Sequence, residues 1–224
     1  MAAPCHDRPV ATTGFRPPIS AFIAHPNRAV REHLEDELAG TGVTVVGRAE
    51  TGPDALDRIL VLVPDVAVVA AELPELDGPA VCRELRTELP ACRTLLVADH
   101  DDDHSFEGML AGAYGCYLVT QPSMRFLHAV RGTMRREALP TPGWASRMLT
   151  RYDELEAAED DRLVPAPRLT PTEQEVLRRL RDGETPQAIA DRHTVSVHTV
   201  RIHASYAILK LTRAIADEAV AATV

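Results

Sequence analysis

Between Ile19 and Arg136 short apolar runs alternate with longer stretches in which apolar residues recur every three or four positions. Ile19–Ala24, Val43–Arg48, Val66–Ala70, Thr94–Ala98 and Cys116–Val119 are short and rich in Val, Ile, Leu and Ala, and they read as strands. Arg28–Ala39, closed by Gly40, together with Pro53–Leu62, Pro79–Leu89, Ser105–Gly112 and Ser123–Arg136, read as helices. Five strands alternating with five helices predict an α/β, doubly wound, flavodoxin-like domain with five parallel strands. Ligands of such sheets sit beyond the carboxyl ends of the strands, which makes the residues there candidates for function.

The pattern changes from Leu169 onward. Thr170 suits an N-cap, Pro171 a first helical position, and Glu173 completes a capping box three residues later. Val176, Leu177 and Leu180 then share a face until Asp182-Gly183 ends the helix. A second helix spans Thr185–Arg192 with Ile189 and Ala190 inward, and Ser196 caps a third that runs to about Lys210. The tight turn His193-Thr194-Val195 between them is that of a helix-turn-helix, an all-α unit that docks on double-stranded DNA. On the third helix Val200, His203, Ala207 and Leu211 form the expected inward stripe, while His198, Arg201, Ile202 and Ser205 point away. Arg201 can reach a guanine edge or a phosphate. Thr199 and Ser196 can bond phosphate near the positive helix end, and Ile202 can touch a thymine methyl.

Leu169-Thr170-Pro171, Glu173, Val176-Leu177, Gly183, Ile189-Ala190, Ser196, Thr199-Val200, His203 and Leu209-Lys210-Leu211 resemble the LuxR-type helix-turn-helix of the NarL/FixJ response regulators. The resemblance implies a four-helix domain whose third helix reads the major groove and whose last helix, about Arg213–Ala222, helps a homodimer form on DNA. His198 and Ser205 replace residues that are often basic in the family. The candidate DNA-binding set is Ser196, His198, Thr199, Arg201, Ile202, Ser205 and Lys210.

Residues from about Ile19 to Glu137 resemble the receiver domain of the same family, through Pro64-Asp65, Leu73-Pro74, Asp77-Gly78, Ala111-Gly112-Ala113 and Gly115. The family's phosphotransfer needs an acidic pair for Mg²⁺, an acceptor Asp, a hydroxyl and a Lys at successive strand ends. Here those positions fall on His25 and Pro26, Ala70, Ala98 and Val119. Ala70 has no oxygen to phosphorylate, and Glu72 falls in the following loop without the other groups. The resemblance therefore narrows to atypical, phosphorylation-independent regulators of the kind that control actinobacterial secondary metabolism. Two readings of the vacated site stand side by side: a degenerate receiver kept as a constitutive dimerisation scaffold, and a small, comparatively apolar pocket of His25, Pro26, Ala70, Ala98 and Val119 for a small-molecule ligand such as a pathway end product.

Charge sharpens this division. From Arg168 onward eight basic residues face seven acidic ones, a net of +1, so the preceding residues carry −10 of the total −9. An acidic chain that binds DNA must gather its cations on one face, and dimerisation doubles them. Lys210 is the sole lysine, and the Arg-for-Lys usage with abundant Ala fits a GC-rich genome. Cys5, Cys82, Cys92 and Cys116 lack metal spacing and are expected as reduced thiols. Asp99-His100-Asp101-Asp102-Asp103-His104 holds ligand-type residues, yet consecutive residues cannot all converge on one ion, and a solvated loop without metal is expected. No run reaches membrane-spanning length, and neither a signal peptide nor a cofactor is expected.

The organisation follows: a tail at 1–18, a degenerate receiver at 19–138, a partly helical linker at 139–167 and the DNA-binding domain at 168–224. Trp144, Met148, Tyr152 and Leu155 share one stripe of the linker, for packing on the receiver or on a partner's equivalent helix, or for a simple spacer. The function expected is that of a cytoplasmic, dimeric, non-enzymatic transcription regulator. The alternative is an interaction protein that heterodimerises with another response regulator.

Overall fold

The computed structural model describes residues 18–135, 140–157 and 168–221. Residues 1–17 of the expected tail, with Cys5, and also Arg136 and the linker prolines Pro165 and Pro167 lie outside these. The first domain is β1 (Ile19–Ala24), α1 (Arg28–Leu38), β2 (Val43–Ala49), α2 (Gly52–Leu62), β3 (Val66–Ala70), α3 (Gly78–Glu88), β4 (Arg93–Ala98), α4 (Asp103–Ala111), β5 (Gly115–Leu118) and α5 (Met124–Arg135). Its five strands pair in parallel in the order β2-β1-β3-β4-β5.

Helices on both faces of this sheet explain the strand sequences. All five residues of β3, Val-Ala-Val-Val-Ala, are buried, as a central parallel strand requires. Ala21, Ile23, Val66, Val68, Leu95 and Val97 face one core with Leu34, Leu38, Phe126 and Val130 of α1 and α5. Phe22, Ala24, Ala67 and Val69 face the other with Ala55, Ile59, Val81 and Leu85 of α2 and α3. Helix starts are capped by Asn27, Thr51 and Asp77, whose side chains accept from Ala29, Asp54 and Ala80 N–H respectively. Gly78 is required for a different reason: a Cβ there would run into the carbonyl of Ala70 at the end of β3.

The chain continues as α6 (Pro142–Ala157), α7 (Pro171–Arg181), α8 (Pro186–His193) and α9 (Val197–Ala221). Here the structure selects one of the two readings of the linker and departs from expectation at the last helix. The linker is not a spacer: Trp144, Ala145, Met148, Leu149 and Tyr152 of α6 are buried in one core with Met109 and Ala111 of α4 and with Leu169, Val176, Leu177, Ile189, Val200, Ala204 and Leu211 of the DNA-binding domain. The side chain of Leu155, the fourth member of the expected stripe, lies outside the described residues. The separate last helix expected at Arg213–Ala222 is absent as a separate element, because α9 runs unbroken to Ala221, with Ala222 outside the described residues. The sequence between Lys210 and Ala221 contains neither Gly nor Pro, and Ala and Leu favour continuation.

Candidate nucleic-acid interface and the vacated receiver pocket

The helix-turn-helix is held by interactions that its sequence encodes locally. Thr170 and Glu173 form the capping box, with Thr170 N–H donating to Glu173 Oε2 at 2.8 Å and Glu173 N–H to Thr170 Oγ1 at 3.3 Å. Glu173 is buried, at 4% exposure, and its carboxylate accepts from Lys210 Nζ at 2.8 and 3.0 Å. Burial alone would push this carboxyl up, but Lys210 and Thr170 together hold it below the ordinary carboxylate value. Lys210, expected at DNA, is thus bound to the start of α7 and is a strut within the domain. A second strut is Arg179, which bridges Glu175 at 2.6 Å and Glu184 at 2.9 Å and so ties α7 to the segment that enters α8.

Thr185 caps α8, Thr194 makes the turn in the left-handed region (φ 54°), and Ser196 caps α9 by accepting from Thr199 N–H at 3.0 Å. Ser196 and Thr199 also share a hydroxyl–hydroxyl bond of 2.8 Å, so both hydroxyls are fixed at the helix start. Ser196 and His198 are exposed, while Thr199, Arg201, Ile202 and Ser205 are half-buried along the same side of α9. His198, Arg201 and Ser205 each make a further polar or electrostatic contact within the chain. The inward stripe is Val200, Ala204, Ala207, Ile208 and Leu211. His203, expected inward, is only half-buried, and Ala204 takes the packed position because a methyl fits where helices approach closely.

The sequence reading overlooked two residues on this helix and one on α8. Tyr206 and Leu209 are 55% and 58% exposed and continue the line of Ile202, which a four-residue, three-residue spacing would have exposed to inspection. Arg192, in the last turn of α8, is exposed and lies 3.6 Å from Glu184.

At the other end of the molecule, a cavity of about 180 Å³ opens at the carboxyl ends of β1, β3 and β4. Four of the five expected residues, His25, Pro26, Ala70 and Ala98, line it. Val119 does not: it follows β5 and packs against the α1 and α5 core instead. The expectation of a comparatively apolar pocket is also corrected, since Glu72, Asp99, His100, Asp102 and His104 complete the wall. Glu72 comes from the loop after β3, and Asp99 and Asp102 come from the loop between β4 and α4, which the sequence pattern treats as solvent-facing.

That loop is more than a surface feature. His104 Nε2 lies 3.0 Å from the carbonyl of Ala71, closing one side of the cavity. Asp102 caps α4 by accepting from Ser105 N–H at 2.9 Å, and that hydrogen bond lowers its carboxyl below the ordinary value, against the opposing effect of burial. On the far side Asp101 accepts from Gly143 N–H at 2.8 Å, and Arg147 reaches Asp103 at 2.7 Å and Asp101 at 3.5 Å. Trp144, fully buried, donates from Nε1 to Ser105 Oγ at 3.1 Å. The run expected to be a solvated loop therefore joins the receiver to the linker helix. Among the described residues no group of three or more His, Cys, Asp or Glu is placed to hold a metal ion.

Across the cavity, His25 Nδ1 accepts from Asn27 N–H at 3.0 Å. Burial lowers the pKa of this imidazole, Asp99 opposes that effect, and the Arg31 guanidinium reinforces it. Arg31 is itself buried, donates to the carbonyl of Pro26 at 3.1 Å and pairs with Glu50. Cys82, Cys92 and Cys116 are free thiols, and burial pushes all three above the ordinary value, Cys82 and Cys92 to about 12. They are packing residues rather than nucleophiles.

A doubly wound receiver-type sheet joined to a helix-turn-helix is the architecture of a transcription regulator that binds DNA and catalyses no reaction. A model of the response regulator receiver domain matches residues 21–125, and one of bacterial regulatory proteins of the luxR family matches 167–221. The chain belongs to the NarL/FixJ family of response regulators. It is 30% identical over 189 residues to a probable transcriptional regulatory protein NarL of Mycobacterium tuberculosis, covering 83% of this chain and 84% of the relative. It is 29% identical over 195 residues to the DNA-binding transcriptional activator DevR/DosR of the same species, covering 86% and 88%. Both domains share their fold with the two-component response regulator RcsB in its DNA complex, at 19% identity and a TM-score of 0.53 over 87% of this chain and 92% of that one. Among the described residues no helix is long and apolar enough to cross a membrane.

Proposed function

We propose that this regulator works without aspartyl phosphorylation, as a cytoplasmic homodimer on an operator of two half-sites. The observation that carries the reading is Ala70. The end of β3, where the family's chemistry needs a carboxylate, bears a buried methyl group. An acyl phosphate needs an oxygen nucleophile, a divalent cation to neutralise the phosphoryl group and cationic or hydroxyl groups around it. His25, Pro26, Ala98 and Val119 supply none of these. Control then comes from the amount of protein or from a small molecule in the pocket. The resemblance to regulators of secondary metabolism favours a product of the regulated pathway.

On this reading Ser196, His198, Thr199, Arg201, Ile202 and Ser205 face the DNA, and Arg192 of α8 joins them at the phosphates. The test is binding of the untreated protein to its own upstream DNA, titrated against salt, before and after incubation with acetyl phosphate and Mg²⁺. Tight, salt-sensitive binding that the phosphodonor leaves unchanged is the expected result. A stable acyl phosphate, or binding that appears only after treatment, overturns the proposal.

A further inference from the structure

The cavity at the ends of β1, β3 and β4 has a floor and a mouth of opposite character. Its floor is made of the buried side chains of Ala70, Val97 and Ala98. Its mouth carries three exposed carboxyl groups, Glu72, Asp99 and Asp102, beside the imidazoles of His25, His100 and His104, and neither Lys nor Arg lines it. Asp102 commits one oxygen, Oδ1, to the start of α4. Among the described residues no hydrogen bond or ion pair holds the Glu72 or Asp99 carboxylate, and Asp99 acts on His25 through space. The guanidinium that acts on His25, Arg31, is directed to backbone carbonyls and to Glu50 and so does not offset these charges at the mouth.

We propose that this pocket binds a small organic cation, an amine or amidine with a compact apolar body, whose charged end meets Asp99, Asp102 and Glu72 while its body rests on Ala70, Val97 and Ala98. The proposal rests on the phosphorylation-independent reading, because a phosphoryl group would claim the same space. A cation's N–H donors replace water on these exposed carboxylates with charge-assisted hydrogen bonds. An anion of the same shape meets repulsion. A neutral molecule buries the carboxylates without compensation. The volume, about 180 Å³, equals the liquid share of roughly six water molecules, which limits the ligand to a single ring or to the head group of something larger.

Benzamidine, benzamide and benzoate share one planar shape and differ in charge. Each is titrated into the full chain by calorimetry at pH 8, above the ordinary imidazole range. Benzamidine is expected to bind at least about tenfold more tightly than benzamide, with benzoate weakest. The double variant Glu72→Gln, Asp99→Asn, which leaves the α4 cap intact, is expected to weaken benzamidine about tenfold and to leave benzamide unchanged. Absence of benzamidine binding, equal affinity for all three probes, preference for benzoate, or an unaffected double variant overturns the assignment. Each of those results leaves phosphorylation independence standing. Only the acetyl phosphate experiment can remove that reading, so the two failures are distinct.

Discussion

Replacing Trp144 by Ala tests whether α6 belongs to the core of the molecule. The indole is completely buried in the apolar cluster that also contains Met109 of α4 and Leu177 of α7. Removing an aromatic ring from such a site costs about 3–5 kcal/mol. The lost bond from Nε1 to Ser105 adds about 1 kcal/mol at most, because the Ser105 hydroxyl keeps its contacts with the N–H and the carbonyl of Asp102. Trp144→Phe keeps most of the apolar surface and loses the donor, so about 1–2 kcal/mol is expected. A domain of ordinary stability has about 5–15 kcal/mol in total, so the Ala variant forfeits a large share of it. Denaturant unfolding followed by circular dichroism reads the shift in midpoint, and limited proteolysis reads release of the linker. The Ala variant should unfold much earlier and be cleaved faster within α6, with the Phe variant between it and the wild type. If Trp144→Ala unfolds within about 0.5 kcal/mol of the wild type, α6 is not docked in solution and the shared core is refuted.

Arg201→Ala should weaken operator binding about tenfold or more while leaving the domain folded, as gel-shift and circular-dichroism measurements on one preparation would establish. Lys210→Ala leaves the buried Glu173 carboxylate without its cation and should cost about 2–3 kcal/mol of stability, measured by denaturant unfolding. Because the carboxyl of Glu173 lies below its ordinary value in the folded state, this contribution is present above the ordinary carboxylate range and is lost as pH falls through the lowered value. The wild type should therefore lose stability in acid more steeply than Lys210→Ala does. Ala70→Asp should not gain an acyl phosphate from acetyl phosphate and Mg²⁺, since His25, Pro26 and Ala98 still line the cavity in place of the other reacting groups and Val119 lies outside it; a mass increase of one phosphoryl group would refute this.

The parallel sheet was legible because burial on both faces leaves a continuous apolar run, and Val66–Ala70 could be little else. The helix-turn-helix was legible because caps and turns are local chemistry, and Thr170, Glu173 and Ser196 act where the spacing placed them, while Thr185, read as the first helical residue, caps α8 instead. Long-range pairings were not. Lys210 looks like a DNA contact along its own helix, and only the return of α9 across α7 brings it to Glu173. The acidic run Asp99–His104 looks solvated because a sequence does not reveal that Gly143, Trp144 and Arg147 return to it from more than thirty residues away. Vacancy of the phosphotransfer positions was visible in the residue types themselves. The polarity of what surrounds them depends on loops whose directions the pattern does not fix.

The apolar cluster that runs from α4 through α6 into α7 and α9 limits how such a chain can change over generations. Regulators assembled from a sensory half and a reading half are readily recombined when each half is self-contained. Here Met109 and Ala111 on one side and Trp144, Leu177 and Leu211 on the other fill a single interior. A graft at residues 158–167 would carry α6 with its receiver but would leave half of that interior facing a stranger. Successful chimeras of this regulator should accordingly need either the whole segment from α4 onward taken from one parent, or matched substitutions on both sides of the seam.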